Sequence, residues 1–302
     1  MVRYGVAASP LTFRAFCPAA IMSEQLASRD RLIFDNPPIR IKHCRRGPMM
    51  YLARDQYMGR SLDLYGESSE LEFELFGQFL KPGMIVVDAG AHIGTHAIYF
   101  AQTVGNTGTV IAVEPQRIIH QILCANVALN ALMNVVTLHG ALGDKPGTAK
   151  VFPLDYRLEN NFGGLEIWKA EAGEPVKIVT LDSLGLTRCH FIKIDVEGME
   201  GNVLRGARET ITRHWPLLYV ENDRQDKSAA LIALLFELGY RLYWDIRPMF
   251  NPANFAGIGE NVFGLGASFN MLCVPRSAGA AITGFREIMS PDDVVGPAAE
   301  RP

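Results

Sequence analysis

The stretch VVDAGAHIGTH, residues 86–96, decides the fold. Its β-branched apolar residues end in Asp88, and a Gly-x-x-x-Gly turn from Gly90 to Gly94 leads into a segment with apolar residues at helical spacing. The pattern predicts a buried strand, a glycine turn and a helix that ends at Gly105. Because α/β proteins bind ligands beyond the carboxyl ends of such strands, this turn is expected to carry a ligand.

The same alternation continues from residue 84 to residue 274. Short apolar runs predict further strands at 110–114, 135–139, 191–195 and 217–221, and helical patterns lie between most of them. This order is typical of a parallel sheet with crossover helices. Two strand-like runs at 240–246 and 270–274 have no helical pattern between them, so we expect them to pair antiparallel at one edge.

The domain organisation follows from changes in this pattern. Residues 143–182 interrupt the alternation with hairpin-like pieces around a polar loop, which we interpret as an insertion. The first 22 residues only loosely resemble a targeting peptide, because polar residues break up the apolar ones. The predicted organisation is a disordered extension at 1–27, an N-terminal substrate or lid segment at 28–80, a main domain at 81–276 and a flexible tail at 277–302.

The composition argues against several classes of protein. The 302 residues carry a net charge of −3, which disfavours nucleic acid as a partner, because phosphate binding normally needs a basic domain. The five cysteines are scattered without a C-x-x-C pair, so neither a disulfide framework nor a zinc site is predicted and a cytoplasmic location fits best. No apolar run approaches the roughly 18 to 20 residues that span a membrane.

Polar residues stand at the ends of the predicted strands, namely Asp88, Glu114, Asp195, Glu221 and Asn222. The glycine spacing does not match the Gly-x-Gly-x-x-Gly fingerprint, which argues against an NAD-dependent oxidoreductase. A carboxylate before the glycines would repel a pyrophosphate, but it suits a cofactor that carries an ammonium and a sulfonium. Glu114 is placed to accept hydrogen bonds from both hydroxyls of a ribose. Together these features fit S-adenosylmethionine.

Five pieces of the chain resemble the FkbM family of S-adenosylmethionine-dependent methyltransferases. They follow the family's order: VVDAGAHIGTH, VIAVEPQ at 110–116, ALGD at 141–144, NFGG at 161–164 and FIKIDVEGMEGNVLRGA at 191–207. The resemblance implies the α/β class I methyltransferase fold, a Rossmann-like three-layer sandwich whose seven-stranded, mostly parallel sheet has one antiparallel edge strand. It also implies O-methylation of a hydroxyl on a sugar, glycan or secondary metabolite. His92 departs from the asparagine that is commoner in the family's loop.

We predict two groups of site residues. Asp195, at the end of its strand, is the first candidate for the base that activates the acceptor hydroxyl, and His92 is the second. The residues predicted to bind the cofactor are Asp88, Gly90, Ala91, Gly94, Glu114, Pro115, Ala141 and Leu142. Tyr65, Glu67 and Asn161 lie in segments that can fold over the site, and the loops at 155–175 and 247–269 are expected to build the acceptor pocket.

Two alternatives remain open at this point. Asp195, Glu221 and Asn222 offer oxygen ligands for magnesium, an arrangement that resembles the metal site of catechol-type methyltransferases. We nevertheless expect a metal-independent enzyme that acts on a small-molecule or glycan hydroxyl. The other alternative is a non-catalytic protein that binds S-adenosylmethionine or a nucleotide, and the intact IDVEG and VEND sequences argue against it.

Overall fold

The N-terminal part of the protein is a small antiparallel sheet followed by two helices. The computed structural model describes residues 31–166, 172–279 and 282–295, so the extension predicted at 1–27 lies outside the described residues. The three strands are β1 (Leu32–Asn36), β2 (Ile39–Cys44) and β3 (Gly47–Leu52), and the helices are α1 (Met58–Tyr65) and α2 (Glu70–Phe79). Asn126 fixes this part to the main domain, because its side chain exchanges hydrogen bonds with the backbone of Met50 and donates another to the carbonyl of Ile93.

The first half of the main domain alternates strands and helices as predicted. Its elements are β4 (Ile85–Ala89), α3 (Thr95–Val104), β5 (Thr109–Glu114), α4 (Arg117–Leu129) and β6 (Val135–His139). These three strands pair in parallel, with β4 beside β5 and β5 beside β6. Nearly every residue of β4 and β5 is buried, which is why both strands are continuous apolar runs.

The insertion predicted at 143–182 forms a second small sheet. Its strands are β7 (Ala141–Leu142), β8 (Gly147–Val151) and β9 (Glu174–Val179), in the order β7-β9-β8. The hairpin-like prediction for this region is confirmed by the antiparallel pairing of β8 with β9. The short β7 pairs in parallel with β9 and lies directly after β6, so the insertion is held close to the carboxyl ends of the parallel strands.

The second half of the main domain completes the large sheet. Its elements are β10 (Phe191–Ile194), α5 (Glu200–Arg205), α6 (Arg208–His214), β11 (Leu217–Glu221), α7 (Gln225–Glu237), β12 (Tyr240–Pro248), β13 (Ala267–Pro275) and β14 (Arg286–Ile288). The strand order is β14-β12-β13-β11-β10-β4-β5-β6. The sheet reverses order between β4 and β10, and in open α/β sheets such a point is where ligands bind.

The α/β architecture is confirmed, but two details of the sheet differ from the prediction. The antiparallel strand β13 lies between β11 and β12 rather than at the edge. The edge is β14, an eighth strand that pairs antiparallel with β12 inside the segment predicted as a flexible tail. Its Ile288 is only 2% exposed and joins the core, whereas its other two residues are exposed. Three residues with one apolar side chain are too short a pattern to predict a strand.

Alternate residues of the strands face two separate cores, which establishes the three layers. Val87 and Ile192 pack with Val203 and Leu235 on the side of α5, α6 and α7. Their neighbours along the strands pack on the opposite side with the aromatic rings of α2 and α3. Within that second core the rings of Phe73 and Tyr99 stack with centroids 4.2 Å apart, so α2 is part of the helical layer rather than a detached lid.

None of the helices in the described ranges is long and apolar enough to cross a membrane. The four cysteines that the structure describes are free thiols. The cytoplasmic location and the absence of a nucleic-acid partner remain predictions.

Candidate active site

A cavity of about 450 Å³ lies at the carboxyl ends of the central parallel strands. Most of the residues predicted for the site line it: Gly90, Ala91, His92, Glu114, Pro115, Ala141, Leu142, Asp195 and Glu221. The same cavity wall includes Tyr65, Glu67 and Asn161 from the covering segments. Three predicted residues do not line it, namely Asp88, Gly94 and Asn222.

The glycine turn is shaped by close backbone contacts. Gly90 has φ +79°, and a Cβ added there would lie 1.7 Å from the carbonyl oxygen of Asp195. The amides of Gly90 and Ala91 both donate to the carbonyl of Val113 at 3.0 Å, which fixes the turn between β5 and β10. Gly94 has φ +93° and faces Leu123, so its role is to let the turn pack on α4.

Glu114 presents a carboxylate to the cavity from the end of β5. Its Oε2 accepts a hydrogen bond from the His92 amide at 3.0 Å, and its Oε1 accepts one from the Gln116 amide at 2.8 Å. Burial raises the pKa of Glu114 to about 7, although the two amide donors act in the opposite direction. Each carboxylate oxygen still has a free lone pair, which suits two neighbouring hydroxyls such as those of a ribose.

Asp88 lies behind the cavity wall. It is fully buried, neither of its carboxyl oxygens has a hydrogen-bond donor among the described residues, and its Oδ1 lies 3.8 Å from Nζ of Lys193. Burial raises the pKa of Asp88, and the Lys193 charge opposes this rise. The carboxyl that the sequence placed against the cofactor therefore acts through Lys193 and the local field in this arrangement, rather than from the cavity surface.

Lys193 is a site residue that the sequence did not single out. It is only 3% exposed, yet it lines the cavity and donates a hydrogen bond of 2.9 Å to Oδ2 of Asp195. The only signal in the sequence is a lysine inside the otherwise apolar strand FIKI. Burial would lower the pKa of Lys193, but the charges of Asp195 and Asp88 outweigh it and raise the pKa, so the side chain carries a buried positive charge.

Three carboxylates meet on the far side of the cavity from Glu114, and we refer to Asp195, Glu197 and Glu221 as the carboxylate cluster. One oxygen of each lies within 4.8 Å of the other two. Burial would raise the pKa of Asp195, but the charge and hydrogen bond of Lys193 hold it below its usual value. Burial and then the charge of Asp195 raise the pKa of Glu221 well above its ordinary range. At neutral pH Asp195 is thus ionised while Glu221 keeps a proton.

Asn222 is not part of this cluster. Its side chain is 3% exposed and its Nδ2 donates to the sulfur of Met271 at 3.3 Å. The predicted oxygen set of Asp195, Glu221 and Asn222 is therefore not assembled, because consecutive strand residues point to opposite sides and Asn222 turns into the protein. Glu197, from the loop after β10, takes the third position instead.

His92 lines the cavity beside Glu114 in a left-handed conformation, with φ +49°. Its Nε2 is buried without a hydrogen-bond partner and lies 3.9 Å from Oδ2 of Asp55, which is longer than a hydrogen bond. Burial lowers the pKa of His92, and the charge of Asp55 opposes this only in part. The imidazole is therefore neutral at neutral pH.

The predicted loop at 247–269 covers the cavity and is fastened to the segment between α1 and α2. Glu67 accepts hydrogen bonds from Arg45, from the Asn251 side chain and from the Phe255 amide, at 2.6, 2.7 and 2.7 Å. The Tyr65 hydroxyl donates to the carbonyl of Glu260 at 2.7 Å. Because these contacts involve buried polar groups, the covering loop is a defined wall of the cavity.

Helix α2 also contributes a buried polar network. Glu72 lines the cavity and its Oε2 lies 2.8 Å from Nε2 of His96, at the start of α3. Its Oε1 accepts from the Ser268 hydroxyl at 2.8 Å and from the Asn270 amide at 3.3 Å. Burial would raise the pKa of Glu72, and the hydrogen bond and charge of His96 reverse the shift and lower it. Helix α2, α3 and β13 are joined beneath the cavity by this one carboxylate.

The aromatic residues suggested as an acceptor platform divide into two groups. Tyr243 and Trp244 are 3% and 4% exposed and belong to the two cores. Phe250 packs on Tyr65 behind the cavity lining. The aromatic rings that do line the cavity are those of Tyr57, Tyr65 and Phe263.

A sequence model of the methyltransferase FkbM domain matches residues 88–242, just over half of the chain. The chain belongs to the FkbM methyltransferase family. The matched range begins at Asp88 and includes the glycine turn, Glu114, Lys193 and the whole carboxylate cluster. The protein is therefore an S-adenosylmethionine-dependent methyltransferase of FkbM type, and the three-layer sheet is the class I methyltransferase fold.

Three relatives illustrate this family and fold. Methyltransferase sdnD from Sordaria araneosa is 31% identical over 175 residues, which are 46% of this chain and 65% of the relative, so the match spans less than two thirds of that protein. The solved methyltransferase FkbM from Methylobacillus flagellatus KT is 16% identical, with a TM-score of 0.42 over 72% of this chain and 55% of that one. Aeropyrum pernix fibrillarin, solved with natively bound S-adenosyl-L-methionine, is 13% identical, with a TM-score of 0.42 over 81% and 99%.

The site of this FkbM-family protein fits its cofactor on two observations. The glycine turn leaves a cradle that any Cβ at position 90 would fill, and Glu114 has oxygen lone pairs free toward the cavity. The residues that would hold the cofactor are Gly90 and Ala91 on the turn, Glu114 and Pro115 after β5, and Ala141 with Leu142 on β7.

Proposed function

We propose that the protein is an O-methyltransferase that acts on a hydroxyl of a sugar or a similarly hydroxylated metabolite. The observation that carries the proposal is the carboxylate cluster, which lines the same cavity as the glycine turn and Glu114. The two halves divide the work between cofactor binding and acceptor activation. When bound, S-adenosylmethionine supplies an electrophilic methyl group, and the chain's own residues must place an oxygen in line with it.

Asp195 is the residue we propose as the base. It is ionised at neutral pH, 33% of its side chain is exposed, and it borders the cavity. An ionised carboxylate accepts a hydrogen bond from a hydroxyl and takes up its proton as the oxygen forms its new bond. Glu221 beside it keeps a proton at neutral pH. Two carboxyl groups whose pKa values are pushed apart are a common basis for acid and base roles in one site.

Lys193 is the residue that positions this base. Its ammonium holds Oδ2 of Asp195 at 2.9 Å, which leaves the other carboxylate oxygen for the acceptor. The positive charge also keeps Asp195 ionised although the site is largely buried. Lys193 is therefore proposed to act on the reaction through Asp195 rather than by contact with the methyl group.

His92 is the second candidate for the base. A neutral imidazole with an unpaired nitrogen is able to accept a proton, and the pKa of His92 is lowered by burial. Its amide, however, donates to the carboxylate of Glu114, which places the residue in the cofactor half of the cavity. We therefore rank His92 below Asp195 for contact with the acceptor.

A magnesium-dependent reaction is the competing proposal, and the three carboxylates of the cluster are the observation in its favour. Two cations already neutralise these ligands, because Lys193 donates to Asp195 and Arg224 donates to Glu197. A divalent ion would have to displace or repel both charges. We therefore propose transfer without a metal and expect full activity in the presence of a chelator. Complete loss of activity, with recovery on added magnesium, would favour the metal-dependent reaction.

The proposal is tested with a panel of methyl glycosides, free sugars, catechol, simple amines and carboxylic acids as acceptors. The measurement is the formation of S-adenosylhomocysteine together with the mass of the methylated product. We expect methylation of hydroxyl acceptors and a mass increase of one methyl group on oxygen. Methylation confined to the amines or the carboxylic acids would contradict the proposed function, and binding of the cofactor without turnover of any acceptor would support the non-catalytic alternative.

A further inference from the structure

The loop that follows β10 holds one residue in an unfavourable backbone conformation. Glu197 has φ +55°, a left-handed conformation that is natural for glycine and costs energy for other residues. The turn is fixed by Glu200, whose Oε1 accepts hydrogen bonds from the amides of Val196 and Gly198 at 3.2 and 2.8 Å. Glu197 is therefore kept in this conformation by its surroundings and does not adopt it through flexibility.

The strained residues of the described chain show where such a cost coincides with the site. Five residues other than glycine have positive φ. Three of them line the cavity, namely Ser69, His92 and Glu197, whereas Ala131 and Trp215 do not. A turn that served only to connect β10 with α5 would be better made by glycine at position 197. Strain of this kind persists where the side chain does something that a relaxed residue cannot do.

The conformation delivers the Glu197 carboxylate to the cavity beside Asp195 and Glu221. Arg224 donates to Glu197 and also to Asp223, at 3.0 Å for the latter. One guanidinium is thus shared between two carboxylates, and the negative charge around Glu197 is not fully balanced. Burial and then the charge of Asp195 raise the pKa of Glu197 to about 8.

A group in this situation is stabilised by a hydrogen-bond donor from a ligand. A hydroxyl provides a donor without adding negative charge, whereas a phosphate or carboxylate would bring a further anion next to three carboxyl groups. The positive charge of Arg224 does not attract such an anion, because it is already engaged by Glu197 and Asp223.

We propose that Glu197 is an acceptor-binding residue, whose carboxylate accepts a hydrogen bond from a second hydroxyl of the acceptor and so selects polyhydroxylated acceptors without an anionic group. The inference rests on the proposed O-methyltransferase function and deepens it. Asp195 contacts the hydroxyl that is methylated, and Glu197 holds the acceptor by another hydroxyl. The acceptor then meets the carboxylate cluster at two points, which fixes its orientation.

The test compares Glu197→Gly with a matched substitution, Ala131→Gly. Ala131 has φ +51°, is exposed and does not line the cavity, so both substitutions relieve the same backbone strain. We expect each variant to melt at the wild-type Tm or about 2 °C above it. Ala131→Gly keeps the wild-type kcat/KM, whereas Glu197→Gly loses about 10- to 100-fold in kcat/KM with unchanged affinity for S-adenosylmethionine, as expected for a hydrogen bond to a charged group.

Deoxy analogues of the methyl glycoside that the wild-type protein methylates best complete the test. With one analogue, the wild type should lose as much kcat/KM as Glu197→Gly loses with the full glycoside, and the variant should not distinguish the two acceptors. Wild-type kcat/KM in Glu197→Gly, or a fall in Tm and cofactor affinity in proportion to activity, would overturn the role of Glu197. Failure of the proposed function is seen separately, because the wild type would then methylate no hydroxyl acceptor.

Discussion

Lys193 donates a hydrogen bond of 2.9 Å from its Nζ to Oδ2 of Asp195, two residues along the same chain segment. The lysine is on β10, and the aspartate follows the end of that strand, so both side chains are placed by the edge of the parallel sheet. A buried cation beside a carboxylate stabilises the ionised form of the acid. The pair therefore sets the protonation state of the residue that we propose as the base.

Replacing the lysine should change how the reaction depends on pH. In Lys193→Met the charge that lowers the pKa of Asp195 is lost, so the acidic limb of the kcat/KM profile should move upward by about 1 to 3 pH units. The matched control is Lys177→Met, since Lys177 is exposed on β9. An unchanged acidic limb in Lys193→Met would separate Lys193 from the reaction.

Glu114→Gln should weaken cofactor binding. The amide cannot offer two acceptor oxygens, so Kd for S-adenosylmethionine measured by calorimetry should rise about 10- to 100-fold. In the wild type the affinity should increase as the pH rises through about 7, because Glu114 ionises there and becomes a better acceptor. Glu174→Gln removes an exposed carboxylate that pairs only with Arg117 and serves as the control. Equal affinity in the two variants would remove Glu114 from the cofactor site.

Gly90→Ala should disrupt the glycine turn. A Cβ at this position would lie 1.7 Å from the carbonyl of Asp195, and the backbone has φ +79°. Both effects are structural, so we expect a loss of several degrees in Tm together with loss of cofactor binding. Gly259→Ala is the control, because nothing lies within 4 Å of a Cβ there and its φ is not positive. A Gly90→Ala protein with wild-type Tm and affinity would show that the turn adjusts freely.

The cofactor-free protein should become less stable between pH 6.5 and 8.5. Glu114, Glu197 and Glu200 have pKa values raised to about 7, 8 and 7, against 4.5 when unfolded. A carboxyl with a raised folded-state pKa binds more protons in the native state, so its stabilising contribution is present at low pH and is lost as the pH rises through the folded pKa. His92 and His120, whose pKa values are lowered, are neutral in both states across this window.

Thermal melts at several pH values check this expectation. Tm should fall as the pH rises, and Glu197→Gln should show a smaller fall because the amide does not titrate. Tm that is constant or rises over the window in the wild type would mean that these carboxyls are not protonated in the native state.

The sequence predicted the strand ends well, for a physical reason. A buried parallel strand is a continuous apolar run, so the acid that follows it is visible as a change of pattern, as at Asp88, Glu114 and Asp195. The turn at Gly90 was also visible because only glycine tolerates its backbone. The model bears out the position of these residues at one edge of the sheet, and all but Asp88 line the cavity.

Other parts of the site depend on contacts between distant segments, which local patterns do not contain. The pairing of Glu72 with His96 joins two helices, and neither residue stands out in the sequence. Glu197 reads as an exposed loop acid until its left-handed backbone brings it to the cluster. Asn222 follows Glu221 directly, yet its side chain turns away to Met271, because the orientation of a side chain beyond a strand end is set by packing.

The most direct test of the account is the rate of S-adenosylhomocysteine formation by Asp195→Asn, at saturating cofactor and with the hydroxyl acceptor that the wild type uses. The amide keeps the size of the side chain but cannot take up a proton. The account predicts a rate about 10²- to 10⁴-fold below the wild type, with unchanged affinity for S-adenosylmethionine. A rate equal to that of the wild type would contradict the proposed role of Asp195 and with it the division of the cavity into a cofactor half and a reacting half.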